Sequence, residues 1–449
     1  MSDTLEQWLG REYGHAATAM LGSVSARNLV KQRPGFGQTV RPAAGSVVAS
    51  PVLAAYDPDP DYFFHWFRDS AIVIDAVRLL YEAGRLGAEA VTHFGDFVRF
   101  SLALRSLDGR APAEPGWRAA VAPEFERFVR GDDLLAVHGD AVYADTRVNP
   151  DGTLDISRWS RPQHDGAPLR AITVLRWLRA LGGSGALPAE VAADAERLLR
   201  IDLGLTASRW REPSVDIWEE ELGRHYFTLR LSAAALNAGA SWLDARANAA
   251  GADEAAALRS EAQAILAALD GFWLEDAGYY ASRIVPPGGA SGKLLDIAVI
   301  LSAIHAAEDG EAHSPRDPRM HATLAALERL FDGLYPINRG RPRGRGAAMG
   351  RYQGDVYYSG GAYYFSTLGA AEFCFRAAAA YGPHSEARAH WAAHGDELLE
   401  TVRAFTPASG DLSEQFDQRT GEQTSAKHLA WSYAAFISCV TARRAVVAP

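Results

Sequence analysis

Three consecutive carboxyl side chains, Glu219, Glu220 and Glu221, directly follow Trp218 in the stretch SVDIWEEELGRHYF (214–227). A carboxyl set against an apolar wall, with another carboxylate beside it, is pushed toward its protonated form. Hydrolysis of a glycosidic bond uses such a proton donor together with a second, ionised carboxylate across the scissile bond. Neighbouring residues point about 100° apart on a helix and to opposite faces of a strand. Adjacent glutamates therefore do not form that pair; one can donate the proton while the other binds a hydroxyl. The bland alternative is a solvated acidic helix start. Glu414, in DLSEQFD, is a candidate for the distant base, although Ser followed by an acid is also a common helix-start pattern.

Trp66, Trp159, Trp218 and Trp431 each stand within a few residues of Arg, Asp or Glu. Sugars present apolar C–H faces and hydroxyl rims, so their sites need flat aromatic platforms flanked by carboxylates and arginines. Core packing is the alternative for any single tryptophan. The mixed clusters are DYFFHWFRDS (61–70), RWSRPQHDG (158–166), VDIWEEE (215–221), GRYQGDVYYSGG (350–361) and LSEQFDQRTGEQTSAKHLAWSY (412–433). Arg68 and Asp69 either cap the helix that starts at Ser70 or hold sugar hydroxyls, the arginine donating and the aspartate accepting.

Helices must position these clusters. Apolar residues recur at helical spacing over 70–83, and similar blocks lie near 88–106, 169–181, 188–202, 226–249, 252–271, 292–307, 319–333, 361–381, 384–404 and 426–445. Residues 1–60 read differently, as a short strand pair and a loop packing on the helices. Roughly a dozen helical segments in pairs imply a closed helical barrel or a solenoid. In a barrel, the aromatic and charged clusters would line one mouth. The expectation is one catalytic domain over 1–449, without an appended carbohydrate-binding module.

Composition narrows the partners. The 449 residues are 48% hydrophobic and carry a net charge of −10, which disfavours nucleic acid, anionic lipid and polyanionic substrates and suits a neutral one. The basic stretch RGRPRGRG (339–346) is expected as an exposed loop rather than a minor-groove hook. Cys374 and Cys439 sit in apolar surroundings as free thiols, and no metal-ligand spacing, Walker loop or G-x-S-x-G elbow is present. No cofactor, metal or membrane span is expected. MSDTLEQWLGREYGH lacks the basic and apolar regions of a secretory leader, so the expected compartment is the cytoplasm. Oligomeric state is not legible.

Together these segments resemble the glucoamylase family, glycoside hydrolase family 15, whose motifs occur in order between GSVVASP (45–51) and AWSYAA (430–435). The resemblance implies an (α/α)6 barrel and an inverting, exo-acting α-glucosidase that releases β-glucose from non-reducing ends. It implies Glu219 as general acid and Glu414 as general base. Tyr62, Trp66, Arg68, Asp69, Trp159, Trp218, Glu220, Arg351, Tyr357 and Trp431 are then substrate-binding residues. Glu221 has no matching role and is expected to be solvated. Departures from the family pattern are Tyr363, His164, Glu221 and His428, at positions that bear on linkage and chain length. An α-1,6-glucosidase or trehalase of the same chemistry is the enzymatic alternative. A non-catalytic sugar-sensing domain is the alternative of another class, and retention of both Glu219 and Glu414 speaks against it.

Overall fold

The computed structural model describes residues 3–54, 58–113, 115–182, 186–246, 249–284, 291–306 and 312–447. Its twelve described helices are α1 (Leu5–Leu21), α2 (Phe67–Glu82), α3 (Ala88–Ala103), α4 (Gly166–Leu181), α5 (Ala189–Arg209), α6 (Tyr226–Asp244), α7 (Ala249–Asp270), α8 (Ala298–His305), α9 (Pro318–Leu334), α10 (Tyr364–Ala379), α11 (Glu386–Phe405) and α12 (Ala430–Arg444).

The even-numbered helices form a closed ring: each packs on the next, and α12 returns to α2. The odd-numbered helices lie outside, α1 on α12, α5 on α4, α7 on α6 and α11 on α10. This is the (α/α)6 barrel. The residue pattern explains the two layers. Of α6, nearly every residue from Tyr226 to Ala240 is buried, whereas α11 buries only Gly395, Leu398, Leu399, Thr401 and Val402. A helix apolar all round belongs inside, and one with a single apolar stripe belongs at the surface.

The sequence blocks correspond to α2–α12, with two differences. Residues 5–21, expected outside the helical blocks, form α1, started by a capping box between Thr4 and Gln7. The expected strand pair is present after it, at Lys31–Arg33 and Gln38–Val40. The block at 292–307 shrinks to the short α8, because the Asp296 carboxylate accepts from the Ala298 N–H at 2.8 Å and starts the helix late. Both cysteines are buried free thiols. Arg341 of the basic stretch pairs with Asp332, and residues 342–344 are exposed. Among the described residues no helix is long and apolar enough to cross a membrane, and no group of His, Cys, Asp and Glu is placed to hold a metal.

Connections running from an outer helix to the next inner one are long: 22–66, 104–165, 210–225, 271–297, 335–363 and 406–429. Those returning outward are mostly short, such as 83–87 and 380–385. The long connections meet at the end of the ring where the inner helices begin. They are tied there by first-turn N–H groups that an isolated helix would leave unpaired. Tyr226 N–H donates to Ser282 O at 2.8 Å, Tyr364 N–H to Glu414 O at 3.2 Å and Ala430 N–H to Ala49 O at 2.8 Å.

Candidate active site

The segments leading into the inner helices converge on a cleft lined by Tyr62, Trp66, Arg68, Asp69, Trp218, Glu219, Arg351, Glu414 and Trp431 together with Ile217, Phe365 and Leu429. Trp159, Glu220 and Tyr357 stand directly behind this wall, each bonded to a lining residue or its neighbour. All twelve residues singled out from the sequence thus fall in one neighbourhood.

The turn carrying Glu219 is held by its own neighbours. Ser214–Val215 pairs with Leu222–His225 as a tight ribbon, and Asp216 accepts the Trp218 and Glu220 N–H groups, each at 3.0 Å. Glu219 itself has φ of 63°, the left-handed region that costs a non-glycine residue about 1–2 kcal/mol. The surroundings hold it there. Ser160 Oγ donates to its carbonyl at 2.5 Å, Trp66 Nε1 to Oε1 at 2.8 Å, Arg68 to Oε1 at 3.2 Å and Trp159 Nε1 to Oε2 at 2.5 Å.

The next two glutamates point elsewhere. Glu220 accepts from Arg351 at 3.0 Å, from the Tyr352 hydroxyl at 2.5 Å and from Lys293. Burial alone would raise its carboxyl, but Arg351, Lys293 and Tyr352 prevail and hold it below the usual range. Two cations neutralise Glu220, so it is not the bare charge beside Glu219 that the sequence implied. Glu221, expected to be solvated, is 38% exposed and bound to Arg283 at 2.7 Å. Arg283 is buried and also pairs Asp216 at 3.1 Å and Asp296 at 3.3 Å, so Glu221 completes a network beneath the Glu219 turn.

Glu414 lines the same cleft. Its Oε1 accepts from the Tyr62 hydroxyl at 3.4 Å, its Oε2 accepts from Ser425, and Tyr62 and Tyr357 share a hydrogen bond of 2.8 Å. Burial pushes the Glu414 carboxyl up to about 7. Ser425, Arg351 and Tyr62 oppose the rise and Asp69 adds to it. Ser425 also has φ of 63°. Of the six described non-glycine residues with positive φ, four belong to the site segments: Glu219, Tyr358, Ser425 and His428.

Arg68 and Asp69, in the first turn of α2, pair with each other at 3.1 Å, and Arg68 reaches buried Asp165 at 3.5 Å. Arg68 Nε, inside the site, has no hydrogen-bond partner among the described residues. Burial raises the Asp165 carboxyl to about 7 despite Arg68. Trp431 stacks on Phe365 with centroids 4.3 Å apart and rings 5° from parallel, and Trp218 covers the other part of Phe365 at 6.1 Å. The Trp218 indole N–H is committed to Asp296 at 2.8 Å. Arg351 is gripped at two points by Asp355 and lies over the rings of Trp218 and Tyr357.

Sequence reasoning missed Asp165, Lys293, Asp296, Tyr352, Asp355, Phe365 and Ser425. Asp165, Tyr352, Asp355 and Ser425 lie inside the quoted clusters, but nothing in their spacing separates them from their neighbours. Lys293 had one signal, being among only three lysines in the chain. The departures noted in the sequence lie off the cleft wall: Tyr363 is buried with its hydroxyl accepting from Gln415 at 2.8 Å, and His428 bonds Tyr433 at 2.9 Å.

The family model for glycosyl hydrolases family 15 matches residues 28–98 and 147–441. The chain belongs to this family. Glucoamylase-1 of Schizophyllum commune is 28% identical over 482 residues, covering 97% of this chain and 76% of the relative. A probable glucoamylase of Schizosaccharomyces pombe is 27% identical and covers 99% of this chain and 93% of its own length. Among solved structures, the Hormoconis resinae glucoamylase superposes with a TM-score of 0.77 at 26% identity, over 98% of this chain and 74% of that one. The family 15 match resumes at residue 147 and runs through every cleft residue from Trp159 to Trp431.

Proposed function

We propose that this protein is a glucan 1,4-α-glucosidase of the glucoamylase type, an inverting, exo-acting hydrolase of neutral α-gluco-oligosaccharides. One observation carries the reading: two carboxyl groups, Glu219 and Glu414, line one cleft together with Arg68, Asp69, Arg351 and the rings of Trp66, Trp218 and Trp431. Glu219 is gripped by indole and guanidinium N–H donors, and Glu414 is buried among hydroxyls. Glu219 protonates the glycosidic oxygen. Glu414 takes the proton of a water that attacks the anomeric carbon from the opposite face. Inversion requires the two carboxyl groups roughly 6.5–9.5 Å apart, leaving room for that water.

Arg68, Asp69 and Arg351 hold the terminal glucose, Trp431 and Trp218 supply apolar ring faces, and Glu220 accepts a hydroxyl of the neighbouring unit. Anchoring the terminal residue in a closed-ended cleft accounts for exo action. No step requires a cofactor. Residues 1–449 act as one catalytic unit in this reading, with the N-terminal part buttressing the ring.

The test is to incubate the protein with maltose, isomaltose, trehalose and soluble starch and follow the released anomer by NMR. Maltose and starch are expected to yield β-glucose first. Appearance of α-glucose would overturn inversion, and activity confined to isomaltose or trehalose would overturn the linkage. Glu414→Gln is expected to lose turnover by at least about a hundredfold while still binding maltose; an active variant removes Glu414 from the base role.

A further inference from the structure

The family match breaks off at residue 98 and resumes at 147. The residues between contain a run of short 3₁₀ turns from Leu104 to Ala144. This run does not merely decorate the surface. It is bonded along its edge to the loop that carries Trp159. Val129 forms a β-bridge with Ser157, Arg130 N–H donates to Ile156 O at 2.9 Å and Arg158 N–H to Phe128 O at 2.6 Å. Side chains continue the attachment. Buried Arg130 pairs with buried Asp145 at 2.9 Å, and the other Asp145 oxygen accepts from Arg161 at 3.0 Å. Arg161 returns to the loop through the Trp159 carbonyl at 3.0 Å. Thr146 Oγ1 donates to Ser160 O at 2.5 Å.

The loop so fixed presents two groups to one residue: Trp159 Nε1 to the Glu219 carboxyl and Ser160 Oγ to its carbonyl. We propose that Arg130 and Asp145 are positioning residues for the general acid. They act through the Trp159 loop and come from a segment outside the family match. The proposal rests on Glu219 being the acid. Paired with Asp145 inside the fold, Arg130 is a rigid bidentate fork rather than a loose surface cation. Losing either partner breaks the buried link between them, leaving Asp145 to Arg161 and Arg130 to the exposed Asp133, and frees the loop edge.

Leaving-group dependence separates acid positioning from a general structural role. Maltose expels an alcohol that needs the proton, whereas α-glucosyl fluoride expels an ion that needs little help, so a misplaced acid slows only the first. Glu219→Gln, Arg130→Met and Asp145→Asn are compared with the parent on both substrates. All three are expected to lose maltose turnover far more than fluoride turnover, Arg130→Met and Asp145→Asn by about tenfold or more in kcat with a smaller change in KM. Arg130→Lys is expected to recover part of the loss. If Glu219→Gln slows both substrates equally, the acid assignment fails. If Glu219→Gln is selective but Arg130→Met and Asp145→Asn slow both substrates alike, or neither, the positioning role fails. Should Arg130→Met not fold, the nearly isosteric Asp145→Asn carries the comparison alone.

Discussion

Ser425 touches Glu414, the proposed base, with a hydroxyl that sequence patterns alone did not single out. Its donation favours the ionised carboxylate of Glu414, and so opposes the rise that burial imposes. A base must be unprotonated to work. With its carboxyl near 7, activity is expected to fall as pH drops below about that value. Ser425→Ala removes the donor, so the carboxyl climbs further and the acid-side limb of kcat/KM moves to higher pH. An unchanged limb in the pH–rate profile would mean that Ser425 does not tune the base. The three adjacent glutamates carry the same lesson. Their identities are plain in the sequence, but their separate fates depend on Trp159, Arg351 and Arg283, which lie 60, 131 and 62 positions away in the chain.

At the scale of elements, the Glu219 turn rides on a ribbon pinned by Arg283 to Asp216, Glu221 and Asp296. Replacing Arg283 by Met strands two buried carboxylates. The expected cost is about 3–5 kcal/mol, read as a lower denaturant midpoint, with turnover falling in parallel because the turn loosens. Helix bodies were legible from apolar spacing, but among the inner helices only α6 starts where its block does, at Tyr226. In none of those six does the cap residue's own side chain close the first turn: Trp66, Asp165, His225, Ile297, Tyr363 and Leu429 occupy the cap positions, and α8 takes its carboxylate from Asp296 instead. Thr4, Asp317 and Ser385 do cap outer helices. The starts of α2, α6, α10 and α12 are fixed by carbonyls from other loops, a long-range arrangement without a local sequence signature. The capping box of α1 was written in the sequence, yet the turn-rich stretch behind it drew the reading of residues 1–60 toward strands and loop.

At the scale of the whole molecule, scaffold and site separate cleanly. Trp8 of α1 packs edge-on against Phe436 of α12, with centroids 5.4 Å apart, on the outer side of the ring. Trp8→Ala is expected to cost about 3 kcal/mol in unfolding free energy while leaving kcat and KM for maltose unchanged at a temperature where the variant is folded. A large loss of kcat would show that the outer layer reaches the cleft. That the clusters share one mouth followed from assuming a closed barrel. Closure itself was legible only through the family resemblance, because the helix pairs carry too little mutual identity to mark a repeat.

The contact of α12 with α2 also dictates when the cleft can come into existence. Trp66, Arg68 and Asp69 precede most of the chain, whereas Glu414 and Trp431 stand near its end. A nascent chain can stack helix pairs as they emerge, but the two walls of the cleft meet only when the last inner helix docks on the first. Until then the exposed flanks of α2 and of the latest helix are unsatisfied apolar edges. Closing the ring and assembling the cleft are therefore the same event.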